Sequence, residues 1–135
     1  TTALSYTDKS AKAGASYQYT VRAYNGSYQS SFKGVSIVRL AQPAVKAAKV
    51  SSGIKSSWNK VTGAAGYQVF RLQNGKWVSL GTTTALKCTD TKSLAKNTEY
   101  QYKVRAVQKV GSTLKYGDYS AVFKAKTTLV GPMYI

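Results

Sequence analysis

The residues of this chain that could perform acid–base chemistry are four carboxylates, because the sequence contains no histidine. They are Asp8, Asp90, Glu99 and Asp118. Asp8 and Asp90 fall at the same position of an internal repeat, which is typical of a carboxylate that accepts a backbone hydrogen bond in a turn. Glu99 and Asp118 do not make a recognisable carboxylate pair of the kind that glycosidases use. We therefore expect a protein without catalytic activity.

Metal and thiol chemistry are equally unexpected from the residue types. Zinc sites need cysteine and histidine at short spacings, and this chain has one cysteine, Cys88, and scattered acids. We predict no metal site and no cofactor. Cys88 corresponds to Tyr6 in the repeat, so we expect an inward-facing free thiol rather than a reactive one.

The abundant chemistry is positive charge, since 20 lysines and arginines oppose four acids and give a net charge of +16. A field of this sign attracts polyanions. Strand alternation predicts one basic stripe with an aromatic residue on the outward face shared by the third, sixth and seventh strands. A polyanion such as teichoic acid, sulfated glycan or nucleic acid could bind there, and the alternative, which we favour, is a solvated face of a lysine-rich protein. The stripe consists of Phe70, Lys103, Arg105, Lys124 and Lys126.

Trp77 is a separate candidate, because an exposed tryptophan can stack on a sugar ring. On a hairpin strand beside Val78 and Leu80 it could equally cover the edge of the core, and we favour this structural role.

The element that organises the chain is a strand predicted at 99–106, in which bulky apolar and polar residues alternate. Its motif Tyr-Gln-Tyr occurs also at 17–19. The copies are 82 residues apart at the aspartates and 83 at the tyrosines, which is the size of a small β-sandwich. We predict that residues 1–40 are the C-terminal half of one module. Residues 41–130 then form a complete module, and 131–135 begin a linker or tail.

Hydrophobic alternation and turn residues place the strands. In the first copy we expect strands at 4–7, 17–24 and 32–40, with a hairpin at Asn25-Gly26. In the second copy Trp58 is predicted at the centre of the core, 108–118 as a long loop, and Ala121, Phe123 and Ala125 as inward. The seven strands predicted there are 45–50, 53–59, 67–70, 77–80, 86–89, 99–106 and 119–127.

These residues resemble a fibronectin type III module. Trp58 matches the core tryptophan of that family, and Leu94-Ala95-Lys96-Asn97-Thr98-Glu99-Tyr100 resembles its tyrosine corner, with Lys96 where proline is common. The run 57–67 with 102–106 is similar to lysine-rich modules of extracellular proteins of Gram-positive bacteria. The resemblance implies an all-β, seven-stranded antiparallel immunoglobulin-like sandwich, preceded by the last three strands of a second copy.

The same resemblance implies a non-catalytic spacer or adhesion module of a secreted or surface-anchored bacterial protein, located outside the cell or in the cell wall. Two alternatives are an accessory module of an extracellular carbohydrate-active enzyme and a polyanion-binding module. Fold alone does not choose among them.

The predicted partners follow from this organisation. We expect neighbouring domains of a longer parent protein, a possible polyanion or glycan, and no membrane insertion, because no apolar run approaches the roughly 18 residues that span a bilayer. Three strands cannot cover the inner faces of Leu4, Tyr6, Tyr17, Tyr19 and Val21. A second chain, a swapped copy or another part of the parent is expected to complete residues 1–40.

Overall fold

The computed structural model describes residues 1–32, 34–50 and 53–127, and regular secondary structure within those ranges is entirely β-strand. The predicted tail at 131–135 and the last residues of the predicted module, 128–130, lie outside the described residues. The strands are β1 (Ser16–Tyr19), β2 (Tyr24–Asn25), β3 (Tyr28–Gln29), β4 (Val35–Val38), β5 (Val45–Val50), β6 (Gly53–Trp58), β7 (Gly66–Gln73), β8 (Lys76–Thr83), β9 (Lys87–Asp90), β10 (Glu99–Val110), β11 (Thr113–Tyr119) and β12 (Phe123–Lys126).

Two antiparallel sheets make up the larger part of the molecule. One has the order β5-β6-β9, and the other has the order β11-β10-β7-β8 with β12 also paired to β10. The third, sixth and last predicted strands therefore share one sheet, as the alternation argument requires. Between the two sheets lies a core made of side chains at every second strand position.

The end of the chain differs from the prediction in two ways. The expected loop at 108–118 is wrong, because β10 continues to Val110 and returns as β11 after a tight turn at Gly111, where φ is +61°. The expected last strand is broken between β11 and β12, where the backbone N–H of Ser120 donates to the carbonyl oxygen of Val104 at 2.7 Å. Ala121 in this break is exposed, so its predicted inward position is also wrong.

The core confirms the predicted role of Trp58, whose side chain is only 5% exposed. Its ring lies 5.4 Å from that of Tyr67, and the Tyr67 hydroxyl oxygen accepts the backbone N–H of Val61 at 2.9 Å. Seven buried residues form this cluster: Leu40, Trp58, Val61, Tyr67, Val69, Val104 and Ala106.

Residues 1–40 form a smaller pair of ribbons. β1 pairs with β4, and a hairpin joins β2 to β3. Its turn is Gly26-Ser27, one residue later than the predicted Asn25-Gly26, because Asn25 pairs with Tyr28 as the last residue of β2. The predicted strand at 4–7 is absent, which is a correction with a clear cause. Its counterpart β9 pairs with β6 in the second copy, and residues 1–40 contain no counterpart of β6 that could supply ladder hydrogen bonds.

The two parts meet at residues 38–42. The Gln108 side chain accepts the Val38 N–H at 3.2 Å and donates to the Val38 carbonyl oxygen at 2.5 Å. A Cβ at Gly63, where φ is +85°, would lie 2.8 Å from Val38, so only glycine permits this approach. Leu40, placed by the sequence at the end of the first copy, is buried in the core of the second.

Candidate ligand-binding face

The most buried carboxylate, Asp90, is used inside the core. Its Oδ2 accepts Arg71 Nη1 at 2.8 Å and the Tyr102 hydroxyl at 2.7 Å, while its Oδ1 accepts the Lys92 N–H at 3.1 Å. Both side chains of the ion pair are almost fully buried. Burial, followed by the bond to Asp90, raises the pKa of Tyr102. The predicted turn cap is present, and a carboxylate held this way has no route to a substrate.

Asp8 makes the corresponding turn in the first copy. Its Oδ1 accepts the backbone N–H and the hydroxyl of Ser10, at 2.9 and 2.6 Å, and its Oδ2 accepts the Tyr19 hydroxyl at 2.9 Å. The Ser10 bonds, with that from its side chain the largest cause, lower the pKa of Asp8. Its bond to Tyr19 raises the pKa of that phenol.

Other chemical sites are not evident in the part of the chain that the structure describes. It contains no group of three or more potential ligands that could hold a metal ion, and no helix in those residues is long and apolar enough to span a membrane. Cys88 is half-buried against the core cluster, and desolvation raises the pKa of its thiol.

The outer surface of the β8-β7-β10-β11 sheet gathers cations and aromatic rings. β7 places Phe70 opposite Lys103 and Gln68 opposite Arg105, and β11 places Tyr119 on the other side of Arg105. We call this surface the cation–aromatic face. It consists of Gln68, Phe70, Trp77, Lys103, Arg105, Tyr116 and Tyr119.

Each cation of this face lies against more than one ring. Lys103 Nζ is 3.8 Å from the ring centre of Tyr119 and 4.5 Å from that of Trp77. The Arg105 guanidinium carbon is 3.9 Å from the ring centre of Tyr116 and 4.9 Å from that of Tyr119. Each exposed contact of this kind contributes about 0.5 to 1 kcal/mol. Arg105 is held further by a 2.8 Å hydrogen bond from its Nε to Gln68.

Lys124 and Lys126 continue the positive surface along the edge of the same sheet. Both are exposed, and their register partners on β10 are Gln101 and Glu99. The described residues contain one ion pair, that of Arg71 with Asp90, so the cations of this surface have no carboxylate bound to them there. The structure thus places Phe70 beside Arg105 and opposite Lys103, with the two lysines beyond them on the same sheet.

This arrangement has chemical consequences for the two predicted ligands. Lys103 Nζ lies over one face of the Trp77 ring, so a sugar cannot stack on that face. Trp77 lies on the outer surface rather than at the core edge that the sequence favoured. The cations, in contrast, are oriented by rings and present charge at fixed positions, a geometry suited to anionic groups spaced along a polymer.

Strand alternation points Gln68 outward with Phe70 but did not include it in the predicted stripe, and the sequence did not identify Tyr116 and Tyr119 as members of this face. Tyr116 fell inside the predicted loop at 108–118, so its strand alternation was not considered. A register shift between Arg105 and Val107 then turns Tyr116 toward Arg105. The sequence signal that could have indicated these two residues was a pair of tyrosines, 116 and 119, a few residues after the glycine at 111.

No protein-family model matches the chain. Exoglucanase B of Cellulomonas fimi is 33% identical to the chain, and the match covers 83% of the chain and 12% of the exoglucanase. An Fn3-like protein of known structure from Clostridium thermocellum is 28% identical, with a TM-score of 0.53, and the match covers 70% of the chain and 99% of that protein.

A third similarity extends over nearly the whole chain. Domains d3-d4 of the rat CD45 extracellular region match with 17% identity and a TM-score of 0.51, covering 93% of the chain and 71% of that structure. The prediction of an all-β fold is confirmed, and the proteins of similar structure include an Fn3-like protein.

Proposed function

We propose that this chain is a non-catalytic accessory module of an extracellular bacterial carbohydrate-active enzyme. The observation that carries the proposal is the 33% identity to an exoglucanase over 83% of the chain. Two of the four carboxylates, Asp8 and Asp90, are in addition held in structural hydrogen bonds. The match covers only 12% of the exoglucanase, so the likeness concerns a part of it. The predicted spacer or adhesion role at the cell surface or in the cell wall is the more general form of this proposal.

The domain organisation belongs to the same proposal. In it, β11 and β12 together take the place of the single last strand of a seven-stranded sandwich, since both pair with β10. Residues 1–40 are the C-terminal half of a preceding copy, joined in tandem to the module that follows.

An exchange experiment tests the accessory role. The segment of exoglucanase B that matches this chain is deleted in one variant and replaced by the chain in another. We expect hydrolysis of a soluble glucan to be similar in both, and hydrolysis of insoluble cellulose to be lost on deletion and recovered on replacement. Soluble-sugar release by the isolated chain, or equal activity of both variants on cellulose, would contradict the proposal.

A second function is favoured by the cation–aromatic face together with Lys124 and Lys126. We propose that this surface binds a sulfated or phosphorylated polysaccharide. The cations are oriented by rings and have no carboxylate bound to them among the described residues, which supports the proposal, as does the net charge of +16. Four contacts of about 0.5 kcal/mol each would together account for about 30-fold in affinity.

The test uses dextran sulfate, with neutral dextran as the reference polymer. A variant with glutamine at Lys103, Arg105, Lys124 and Lys126 should lose about 30-fold in affinity. The matched control has glutamine at four exposed lysines elsewhere, namely Lys46, Lys49, Lys60 and Lys87, three of which lie on the other sheet. Similar losses of affinity in both variants would show that dextran sulfate is attracted by the overall charge and not by this surface. Binding that is insensitive to salt would refute an electrostatic site.

A further inference from the structure

Residues 1–40 present an uncovered concave surface, which we call the open face. Tyr6 and Val21 are each 82% exposed, and Leu4 is fully exposed. Tyr17, Tyr19 and Ile37 line the same concavity, and Lys115 and Tyr116 of the β10–β11 hairpin form part of its wall. Soluble proteins rarely leave so many large apolar side chains together in water, so a surface of this kind indicates a partner.

The second copy shows what covers the same positions when a module is complete. Val104 and Tyr102, the counterparts of Val21 and Tyr19, are 0% exposed. They are covered by β5 to β8, which lie within 45–83 and have no counterpart in residues 1–40. The contrast between 82% at Val21 and 0% at Val104 therefore measures the absence of those four strands.

Two side-chain hydrogen bonds of the complete module already exist in the first copy. The Asp8–Tyr19 bond of 2.9 Å corresponds to the Asp90–Tyr102 bond of 2.7 Å. The Tyr17 hydroxyl accepts a backbone N–H five residues earlier at 2.8 Å, as the Tyr100 hydroxyl does at 2.7 Å. These two contacts of the complete module thus form in the first copy without its cover.

One bond is missing from this correspondence, and it specifies the partner. Oδ2 of Asp90 accepts both the Tyr102 hydroxyl and the Arg71 guanidinium, whereas in the described residues Oδ2 of Asp8 accepts only the Tyr19 hydroxyl. Arg71 comes from β7, one of the four covering strands. A cover of the same pattern would deliver an arginine to Asp8.

We propose that the open face binds a four-stranded half-sandwich of the same pattern as residues 45–83, which supplies an arginine to Asp8 as Arg71 is supplied to Asp90; this rests on the tandem organisation proposed above. A second copy of this chain is a poor donor, because its own strands of that pattern are already held in a core around Trp58. The tandem CD45 structure, which matches 93% of the chain, also agrees with residues 1–40 belonging to a separate domain.

The chain itself provides the material for a test. Residues 83–86 read Thr-Thr-Ala-Leu, and so do residues 1–4, so a copy of 41–82 can be joined ahead of Thr1 without any new junction sequence. Val21→Cys is introduced together with Cys88→Ala, in the original chain and in this extended chain. The rate of thiol labelling then reports the exposure of the open face.

We expect labelling of the Val21→Cys thiol to be at least about tenfold slower in the extended chain, because a covered position is labelled only when the structure opens. Arg71→Met in the added copy should restore part of the labelling, and so should Asp8→Asn. Asp8→Asn in the original chain should leave the rate unchanged. Lys76→Met in the added copy is the matched control, because it also replaces a cation by methionine but at a hairpin residue.

Three results would overturn the proposal. The first is equal labelling of the original and extended chains, and an added copy that stays unfolded gives this same result. The second is an unchanged rate on Arg71→Met, which refutes the arginine contact. The third is a dimer of the original chain in sedimentation with the Val21→Cys thiol protected, which identifies a second copy as the cover.

Discussion

Replacing Asp90 by asparagine tests the buried network most directly. The carboxylate accepts Arg71, Tyr102 and the Lys92 N–H, and the Arg71 side chain is only 7% exposed. Asparagine keeps an oxygen for the Lys92 N–H but leaves the guanidinium without its counter-charge. Removing one partner of a buried ion pair costs about 3 to 5 kcal/mol. This is a large part of the roughly 5 to 15 kcal/mol that stabilises a typical domain.

The assay is urea unfolding followed by both tryptophan fluorescence and circular dichroism, whose agreement checks two-state behaviour. With a slope of about 1.5 kcal/mol per M, the expected loss moves the midpoint by about 2 to 3 M. Arg71→Met combined with Asp90→Asn should be less destabilised than the sum of the single changes, because no charge is then left unpaired.

Asp118→Asn is the matched control, since Asp118 is an exposed acid on β11 and its loss should change stability by no more than about 0.5 kcal/mol. A loss below about 1 kcal/mol for Asp90→Asn would refute the reasoning. It would mean that water reaches Arg71 and replaces the carboxylate.

Three further predictions concern the same core. Trp58→Ala should destabilise the module by about 3 to 5 kcal/mol in the same unfolding assay, because it removes the central buried ring, and a loss under about 1 kcal/mol would place that ring at the surface. Because the pKa of Tyr102 is raised above its ordinary value of 10.0, stability should be full below pH 10 and fall above it, by up to about 1.4 kcal/mol per pH unit. Tyr102→Phe should lack that part of the decline in unfolding curves measured at successive pH values. Cys88 should react with a thiol reagent much more slowly in the native chain than in urea, since burial raises its pKa, and equal rates would show an accessible thiolate.

The sequence by itself determined the strand pattern and the centre of the core. Trp58, Tyr67 and Val104 lie on three different strands, and each belongs to a set of residues at every second position of its strand. A period of two directs each set to one face of its strand, whatever strand lies beside it. The hairpin turn was equally local and was predicted to within one residue, because it depends on Gly26, which adopts a positive φ. The repeat also identified Asp8 and Asp90 as equivalent before any contact was known.

The tertiary structure alone decided which strands find partners and which charges meet. The segment 4–7 has the sequence of a strand and forms none, because a ladder needs a neighbour that residues 1–40 do not contain. Arg71 pairs with Asp90 across 19 residues of chain, and Tyr116 reaches Arg105 through a register shift. Pairing and register are set by long-range contacts between strands, whereas alternation is a property of each strand alone.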